Sequence, residues 1–410
     1  MTDRRVVITG AGAFSPCGAG VAALWQAARD GASAVRGIRF DAIADQKVTI
    51  AAAIPEALYA AHNAAIRPRQ QDRVTGFALI AAAEAVAQAG LTPADFGDDT
   101  GVIVGSGFGG AETLDTNYTR FAAHTYGATA SRMDAMCIPK IMTNAAASWI
   151  SMTYGARGPV YCNSTACSSA SQSIGLAYQL IRGGAMDRCI TGGSEACVVP
   201  GVFRAWELLR VLSPDACRPF SRDRNGMVLG EGAGILILET LASAQARGAT
   251  PLAEIVGYGT TSDAGDLLRP DPVGASAAMT RALADAGLAP ADVGYVNAHG
   301  TATVANDASE TRAMRAVFGA AFDALAVSST KPIHGHALGA AGALETIITL
   351  AALENRLAPP SGNFAEIDPA LGFAPVQGAA RGFAADYALT NSFAFGGINA
   401  SLILGHADRL

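Results

Sequence analysis

A nine-residue stretch, Ala89-Gly-Leu-Thr-Pro-Ala-Asp-Phe-Gly97, returns in the second half of the chain as Ala286-Gly-Leu-Ala-Pro-Ala-Asp-Val-Gly294. Each copy reads as a helix ending at glycine, a turn through proline and the entry to a strand. Weaker echoes accompany it. Ser164-Thr165, ahead of a helix carrying Cys167, resembles Ser329-Thr330, ahead of a helix carrying His336, and Ile190-Thr191 resembles Leu389-Thr390. A unit this long that occurs only twice does not fit a solenoid and points to a duplication with two-fold pseudosymmetry. Short β-branched runs such as Val6–Thr9, Gly101–Gly105 and Val327–Ser329 alternate with alanine-rich helical stretches, the pattern of an α/β fold. The expected organisation is therefore two similar halves, residues 1–250 and 251–410.

Two segments, Ser168–Arg182 and His336–Glu354, read as helices that are apolar or small nearly all round, and such helices belong between sheets rather than on a surface. Glu345 inside the second needs a partner or a bound monovalent cation, because a lone buried carboxylate is costly. The composition agrees: 50% of the 410 residues are hydrophobic and only 16% charged, which excludes intrinsic disorder and sends apolar mass into a large core or a subunit interface. Apolar runs such as Gly232–Leu238 and Ile347–Leu353 are far shorter than a membrane span. A net charge of −6 with no basic run argues against nucleic acid as a partner. Seven cysteines, odd in number and without CxxC spacing, read as reduced thiols. The N-terminal apolar run is too short for a signal peptide, so the expected location is the cytoplasm.

Cys167 lies between an apolar strand and a helix start, where the positive end of the helix dipole favours thiolate. His299, His334 and His336 lie in turns of glycine and small residues, where backbone approaches a ligand closely and imidazole can move a proton. Asp307 and Glu310 are three apart, on one face if helical. Lys331 follows an apolar strand and wants an acidic partner. One cysteine and three histidines could in principle hold zinc, but their spacing matches no common zinc motif, and no metal is expected. Gly10-Ala-Gly12 after the first strand hints at a dinucleotide loop, yet Ser15 stands at the third glycine position and the fingerprint fails.

Taken in order, Val6-Val-Ile-Thr-Gly-Ala-Gly12, Thr165-Ala-Cys-Ser-Ser169, Gly192-Gly-Ser-Glu-Ala196, Gly230-Glu-Gly-Ala233, Asn297-Ala-His-Gly-Thr-Ala-Thr303, Ser329-Thr-Lys331, Gly335-His-Ala-Leu-Gly-Ala-Ala-Gly342 and Asn391-Ser-Phe-Ala-Phe-Gly-Gly397 resemble the elongating β-ketoacyl-acyl carrier protein synthases nearly end to end. The resemblance implies an α/β, thiolase-like fold of five layers, αβαβα, with two pseudosymmetric halves. It implies condensation of acyl with malonyl carrier protein, with Cys167 as the acyl-accepting nucleophile and His299 and His336 as the pair that decarboxylates malonyl thioester. His336 rather than His334 occupies the Gly-His-x-x-Gly motif, and family members usually have a non-histidine residue at the place of His334. Lys331 matches the family lysine with Glu310 as its ion-pair partner, Asp307 is supporting, and Thr301 and Thr303 match threonines that contact the phosphopantetheine arm. The backbone amides of Cys167 and Phe395 are the implied oxyanion donors. No metal or redox cofactor is implied; the partner is acyl carrier protein, and a homodimer or a heterodimer with a chain-length factor is expected.

Three departures bear on specificity. Ala394 stands where the loop around Phe395 usually has glycine, and Phe108 and Trp206 fall at positions that line the acyl pocket in the family. The implied consequence is a short or unusually shaped tunnel, suited to short, unsaturated or aryl-primed chains of a specialised fatty-acid or polyketide pathway, with housekeeping elongation as the alternative. Arg67, Arg69 and Arg73 resemble the family's carrier-docking patch. A thiolase would need a second cysteine near the C-terminus, and none follows Cys217; an initiating synthase would have asparagine for His336; a chain-length factor would lack the nucleophile.

Overall fold

The computed structural model describes residues 4–409 except 65, 68 and 128–131. Ten strands form its body. Those of the first half are β1 (Val6–Ser15), β2 (Thr100–Gly105), β3 (Val160–Asn163), β4 (Arg188–Glu195) and β5 (Gly232–Thr240). Those of the second are β6 (Ala253–Ser262), β7 (Val293–Asn297), β8 (Ala326–Ser328), β9 (Tyr387–Ala394) and β10 (Ile398–His406). The order in space is β3-β2-β4-β5-β1 in one half and β8-β7-β9-β10-β6 in the other. Every pairing also keeps its sense: β2 is parallel to β3 and β4 as β7 is to β8 and β9, and β5 is antiparallel to β4 and β1 as β10 is to β9 and β6. The two halves share a seam, where Val6, Val7 and Ile8 pair antiparallel with Ile255, Glu254 and Ala253. Antiparallel pairing of equivalent strands is what a two-fold relation requires, and it joins the two expected sheets into one continuous path.

Six helices complete the layers: α1 (Arg73–Gln88), α2 (Ala145–Tyr154), α3 (Ser169–Arg182), α4 (Pro272–Ala286), α5 (Val304–Phe318) and α6 (Ala341–Asn355). Helices α1 and α2 pack on the outer face of the first five strands, α4 and α5 on that of the second, and α3 and α6 lie against each other between the two. α6 is buried from Ala341 through Leu353, so the all-round apolar pattern has its expected place.

The echoed sequence makes the same local structure twice. Pro93–Asp95 and Pro290–Asp292 are single 3₁₀ turns in which the aspartate accepts the N–H three residues earlier, Thr92 at 2.7 Å and Ala289 at 2.8 Å. Gly12 explains the failed dinucleotide motif: it lies inside β1 beneath α1, and a Cβ there would sit 2.0 Å from the Ala81 carbonyl oxygen. Its counterpart Gly259 in β6 is pressed in the same way against Ala278 of α4, again at 2.0 Å. These glycines serve helix-on-sheet contact, not a phosphate.

One part of the echo is corrected. Cys167 does sit in a 3₁₀ turn (Ala166–Ser168) leading into α3, but the turn leading into α6 is Leu338–Ala340, with the left-handed residues Ala166 (φ 51°) and Leu338 (φ 43°) at equivalent places. The counterpart of Cys167 is thus Gly339, not His336. From strand end to this position the first half takes four residues (163 to 167) and the second eleven (328 to 339), and the extra segment carries Lys331, His334 and His336. His336 therefore lies in a loop ahead of α6 rather than on it. All seven cysteines are free thiols, and among the described residues no helix is long and apolar enough to cross a membrane.

Candidate active site

The turn into α3 and the extra segment ahead of α6 converge on one narrow cavity, lined by Cys167, Trp206, His299, Thr301, Thr303, His336, Phe395 and the loop Leu267–Pro270. The ligating or reactive atoms of Cys167, His299 and His336 all lie within 4.8 Å of one another. His336 Nε2 is 3.2 Å from Cys167 Sγ, and the two imidazole rings meet edge to face at 82° with centroids 5.4 Å apart.

Each of the three is held by a different device. The backbone amides of Cys167 and Phe395 lie beside Sγ and favour its thiolate form. The His336 main chain is clamped to the segment before β5, its N–H donating to Val228 (2.7 Å) and its carbonyl accepting from Gly230 (2.9 Å). His299 lies two residues past the end of β7, and its N–H and that of Gly300 both donate to the Glu310 carboxylate at 2.8 Å. Lys331 Nζ stands 3.3 Å from His299 Nδ1; an ammonium can only donate, so the His299 proton is placed on Nε2, facing the cavity.

Burial sets the charges. Cys167 is pushed up to about 11, burial outweighing the Lys331 charge and the two amides, so the dipole-stabilised resting thiolate expected from the sequence is replaced by a neutral thiol. Burial first, and the Lys331 charge next, lower His299 and His336 well below the ordinary imidazole value. The resting site is a thiol beside two neutral imidazoles. His336 Nδ1 has no hydrogen-bond partner among the described residues, so this ring can carry its proton on either nitrogen. The same three atoms are the described group best able to ligate a metal, but an ammonium in contact with His299 opposes a dication there.

Several expected contacts are revised. Glu310 is not the ion-pair partner of Lys331: its carboxylate is occupied by the His299 and Gly300 amides, and Lys331 Nζ instead pairs with Glu345 of α6, both groups fully buried. Glu345 thereby acquires the partner its buried position demanded. Asp307 accepts from Phe220 N–H (2.7 Å) and Asn306 Nδ2 (3.2 Å), tying α5 to the segment before β5, with burial raising it to about 6. Thr301 and Thr303 stand together at the cavity, hydroxyl to hydroxyl at 2.9 Å. Trp206, on the helix Pro200–Leu208, stacks on Phe395 with ring centroids 5.9 Å apart.

Phe108 does not line this cavity within the chain; it is 41% exposed in the loop after β2, where its N–H donates to Glu195. Arg67 and Arg69 are exposed, but Arg73 is not part of a free basic patch, because it is salt-bridged to Glu56 and its guanidinium lies over the Tyr59 and Phe77 rings. The mouth loop Leu267–Pro270 carried no sequence signal. It is tied to the loop after β9, with Gly396 N–H donating to the Leu267 carbonyl at 2.8 Å. Gly397 (φ 68°) is needed there, since a Cβ would meet Asp263 at 2.6 Å.

Residues 3–244 match the family described as beta-ketoacyl synthase, N-terminal domain, and residues 252–365 its C-terminal domain. The chain is 43% identical over 407 residues to nodulation protein E of Rhizobium sp. (strain N33), with 98% of each chain covered. It is 39% identical over 412 residues to 3-oxoacyl-acyl-carrier-protein synthase 2 of Staphylococcus aureus, again covering 98% of each. Among solved structures it superposes on the ishigamide ketosynthase/chain length factor with a TM-score of 0.92 at 34% identity, covering 99% of this chain and 100% of that one. Layering, duplicated topology, a cysteine between two histidines and end-to-end similarity coincide, and the chain belongs to the β-ketoacyl synthase family, with its thiolase-like fold.

Proposed function

We propose that this chain performs decarboxylative condensation of an acyl with a malonyl group, both carried as pantetheine thioesters on a carrier protein, through an acyl-Cys167 intermediate. The observation that carries the reading is the 3.2 Å approach of His336 to Cys167 Sγ beside two backbone amides. As Sγ attacks the acyl thioester, its proton passes to His336 Nε2 and the oxyanion meets the Cys167 and Phe395 N–H groups. The carbon–sulfur bond to the carrier then breaks, and the leaving thiol takes the proton back.

In the second half-reaction the malonyl thioester oxygen is held by His299 Nε2–H and by His336 in its Nε2–H form. The bond to the carboxylate breaks, carbon dioxide leaves, and the electron pair becomes an enolate that attacks acyl-Cys167, expelling the Cys167 thiolate as the 3-oxoacyl product forms. Two neutral donors suit this step, since an enolate gains from N–H donors in a dry site without being protonated on carbon. The chemistry calls for no metal or redox cofactor, the pantetheine arm belonging to the carrier.

The finer assignment extends the same reading. Trp206 stacked on Phe395 narrows the acyl side of the cavity, which favours short, unsaturated or aryl-primed chains over long saturated ones. Thr301 and Thr303 contact the pantetheine arm, and Arg67 and Arg69 form the carrier-docking patch. The working unit is a dimer of this chain or a pair with a chain-length factor, as in the ishigamide relative, working in the cytoplasm, with residues 1–250 and 251–410 as its two halves. The test is product formation: with octanoyl carrier and malonyl carrier the protein yields 3-oxodecanoyl carrier and carbon dioxide in equal amounts, whereas Cys167→Ala yields no condensation product. Product from the alanine variant would defeat the reading.

A further inference from the structure

His334 is fully buried in the segment that distinguishes the second half from the first, yet it touches neither Cys167 nor the cavity. Its Nε2 lies 3.1 Å from Thr330 Oγ1. The same Thr330 oxygen faces Asn297 Nδ2 at 3.5 Å, and Asn297 ends β7 two residues before His299. An amide nitrogen can only donate, so the Thr330 hydroxyl accepts from Asn297 and its own proton goes to His334 Nε2. The His334 proton is thereby placed on Nδ1, toward the Gly335 carbonyl, without a hydrogen bond of standard geometry among the described residues. Burial and the neighbouring Lys331 ammonium keep the ring neutral.

The two histidines of the reactive centre are otherwise anchored to different parts of the molecule: His336 to the Val228–Gly230 segment, His299 to Glu310 of α5. What sets one against the other is the four-residue helix Lys331–His334 with Thr330 before it. Lys331 reaches His299 from one end of that helix, and His334 fixes the Thr330 hydroxyl toward Asn297 from the other.

We propose that His334 is a positioning residue for the decarboxylation step. Through Thr330 it holds the end of β7 in register with the His336 loop, so that both imidazole N–H groups address one thioester oxygen. The first half-reaction needs only Cys167, His336 and the two amides, none of which depends on the link. Loss of the link therefore separates the half-reactions instead of lowering both. The inference rests on the condensing reading above.

The experiment measures two rates in full-length protein: acylation of Cys167 by octanoyl-pantetheine, followed by intact mass, and carbon dioxide release from malonyl-pantetheine. His334→Phe keeps an aromatic ring and removes the hydrogen bond, and Thr330→Val removes it from the other side. Both are expected to slow decarboxylation about tenfold while acylation stays within about twofold, the scale of losing one buried hydrogen bond at a transition state. His334→Gln, which returns an acceptor near the place of Nε2, is expected to recover most of the loss. Equal losses in both half-reactions, or unchanged decarboxylation in Thr330→Val, would overturn the proposal; Thr330→Val decides the matter if His334→Phe does not fold. A wild-type protein that releases no carbon dioxide at all would instead refute the condensing reading on which it stands.

Discussion

Replacing Lys331 by methionine is expected to give a stability loss that is small at pH 7 and grows steadily above it. Lys331 and Glu345 are both 0% exposed, and Glu345 Oε2 has no hydrogen-bond partner among the described residues. Burial pushes Glu345 up to about 7 even with the ammonium beside it, against an unfolded value of 4.5. Because the folded value is raised, the folded state holds an extra proton between the two values, and stability falls as pH climbs through that window. In the wild type the fall stops near pH 7, where the paired carboxylate ionises. In Lys331→Met nothing compensates the charge, so the carboxyl stays protonated and the fall continues. Each further unit costs about 1.4 kcal/mol, and after the wild type's own small fall just above pH 7 the variant is about 2 kcal/mol worse relative to wild type at pH 9 than at pH 7. Urea unfolding at pH 7, 8 and 9 measures this, with Lys331→Met/Glu345→Gln as the control, which should lose the excess fall relative to wild type. A loss equal at all three values, or a double variant that keeps the excess fall, would refute the pairing argument. Lys331→Met should also slow condensation, because His299 Nδ1 loses the donor that keeps its proton on Nε2.

Three further outcomes follow from the site. Alkylation of Cys167 by iodoacetamide should accelerate about tenfold per pH unit from pH 7 to 10, as for a neutral thiol raised to about 11; a plateau below pH 8 would mean a thiolate at rest. Trp206→Ala should widen acyl selectivity toward longer chains, each added methylene that now fits being worth roughly 1 kcal/mol in the ratio of kcat/KM values; unchanged selectivity between acyl carriers of different length would remove Trp206 from the pocket wall. Arg69→Glu should weaken acylation by carrier protein while sparing acyl-pantetheine, whereas Arg73→Glu, which breaks contacts to Glu56 and the Tyr59 and Phe77 rings, should lower stability as measured by thermal unfolding.

The duplicated fold was legible because its signals are local. The echo at Ala89 and Ala286 encodes a capped turn that the chain builds twice, and α6 has too few polar positions to lie anywhere but between sheets. The identities at the reactive centre were legible through spacing and resemblance. Partnership was not: Lys331 had two carboxylates to choose from, and only the packing of α6 against β9 brings Glu345 to it while backbone amides occupy Glu310. The charge state of Cys167 was misjudged for a related reason, since a helix start is visible in sequence but the depth of burial that overrides it is not. Arg73 shows the same limit, grouped with Arg67 and Arg69 by its neighbours in the chain and taken out of their patch by its salt bridge to Glu56.

The central claim is that Cys167 carries the acyl group and that the two histidines then move carbon onto it. Mass spectrometry of Cys167 peptides measures this directly, after incubation with a panel of acyl carriers and again after malonyl carrier is added. The account predicts an acyl adduct confined to Cys167 among the seven cysteines, cleared on addition of malonyl carrier as 3-oxoacyl carrier appears. An adduct on another cysteine, or one on Cys167 that malonyl carrier leaves in place, would contradict it.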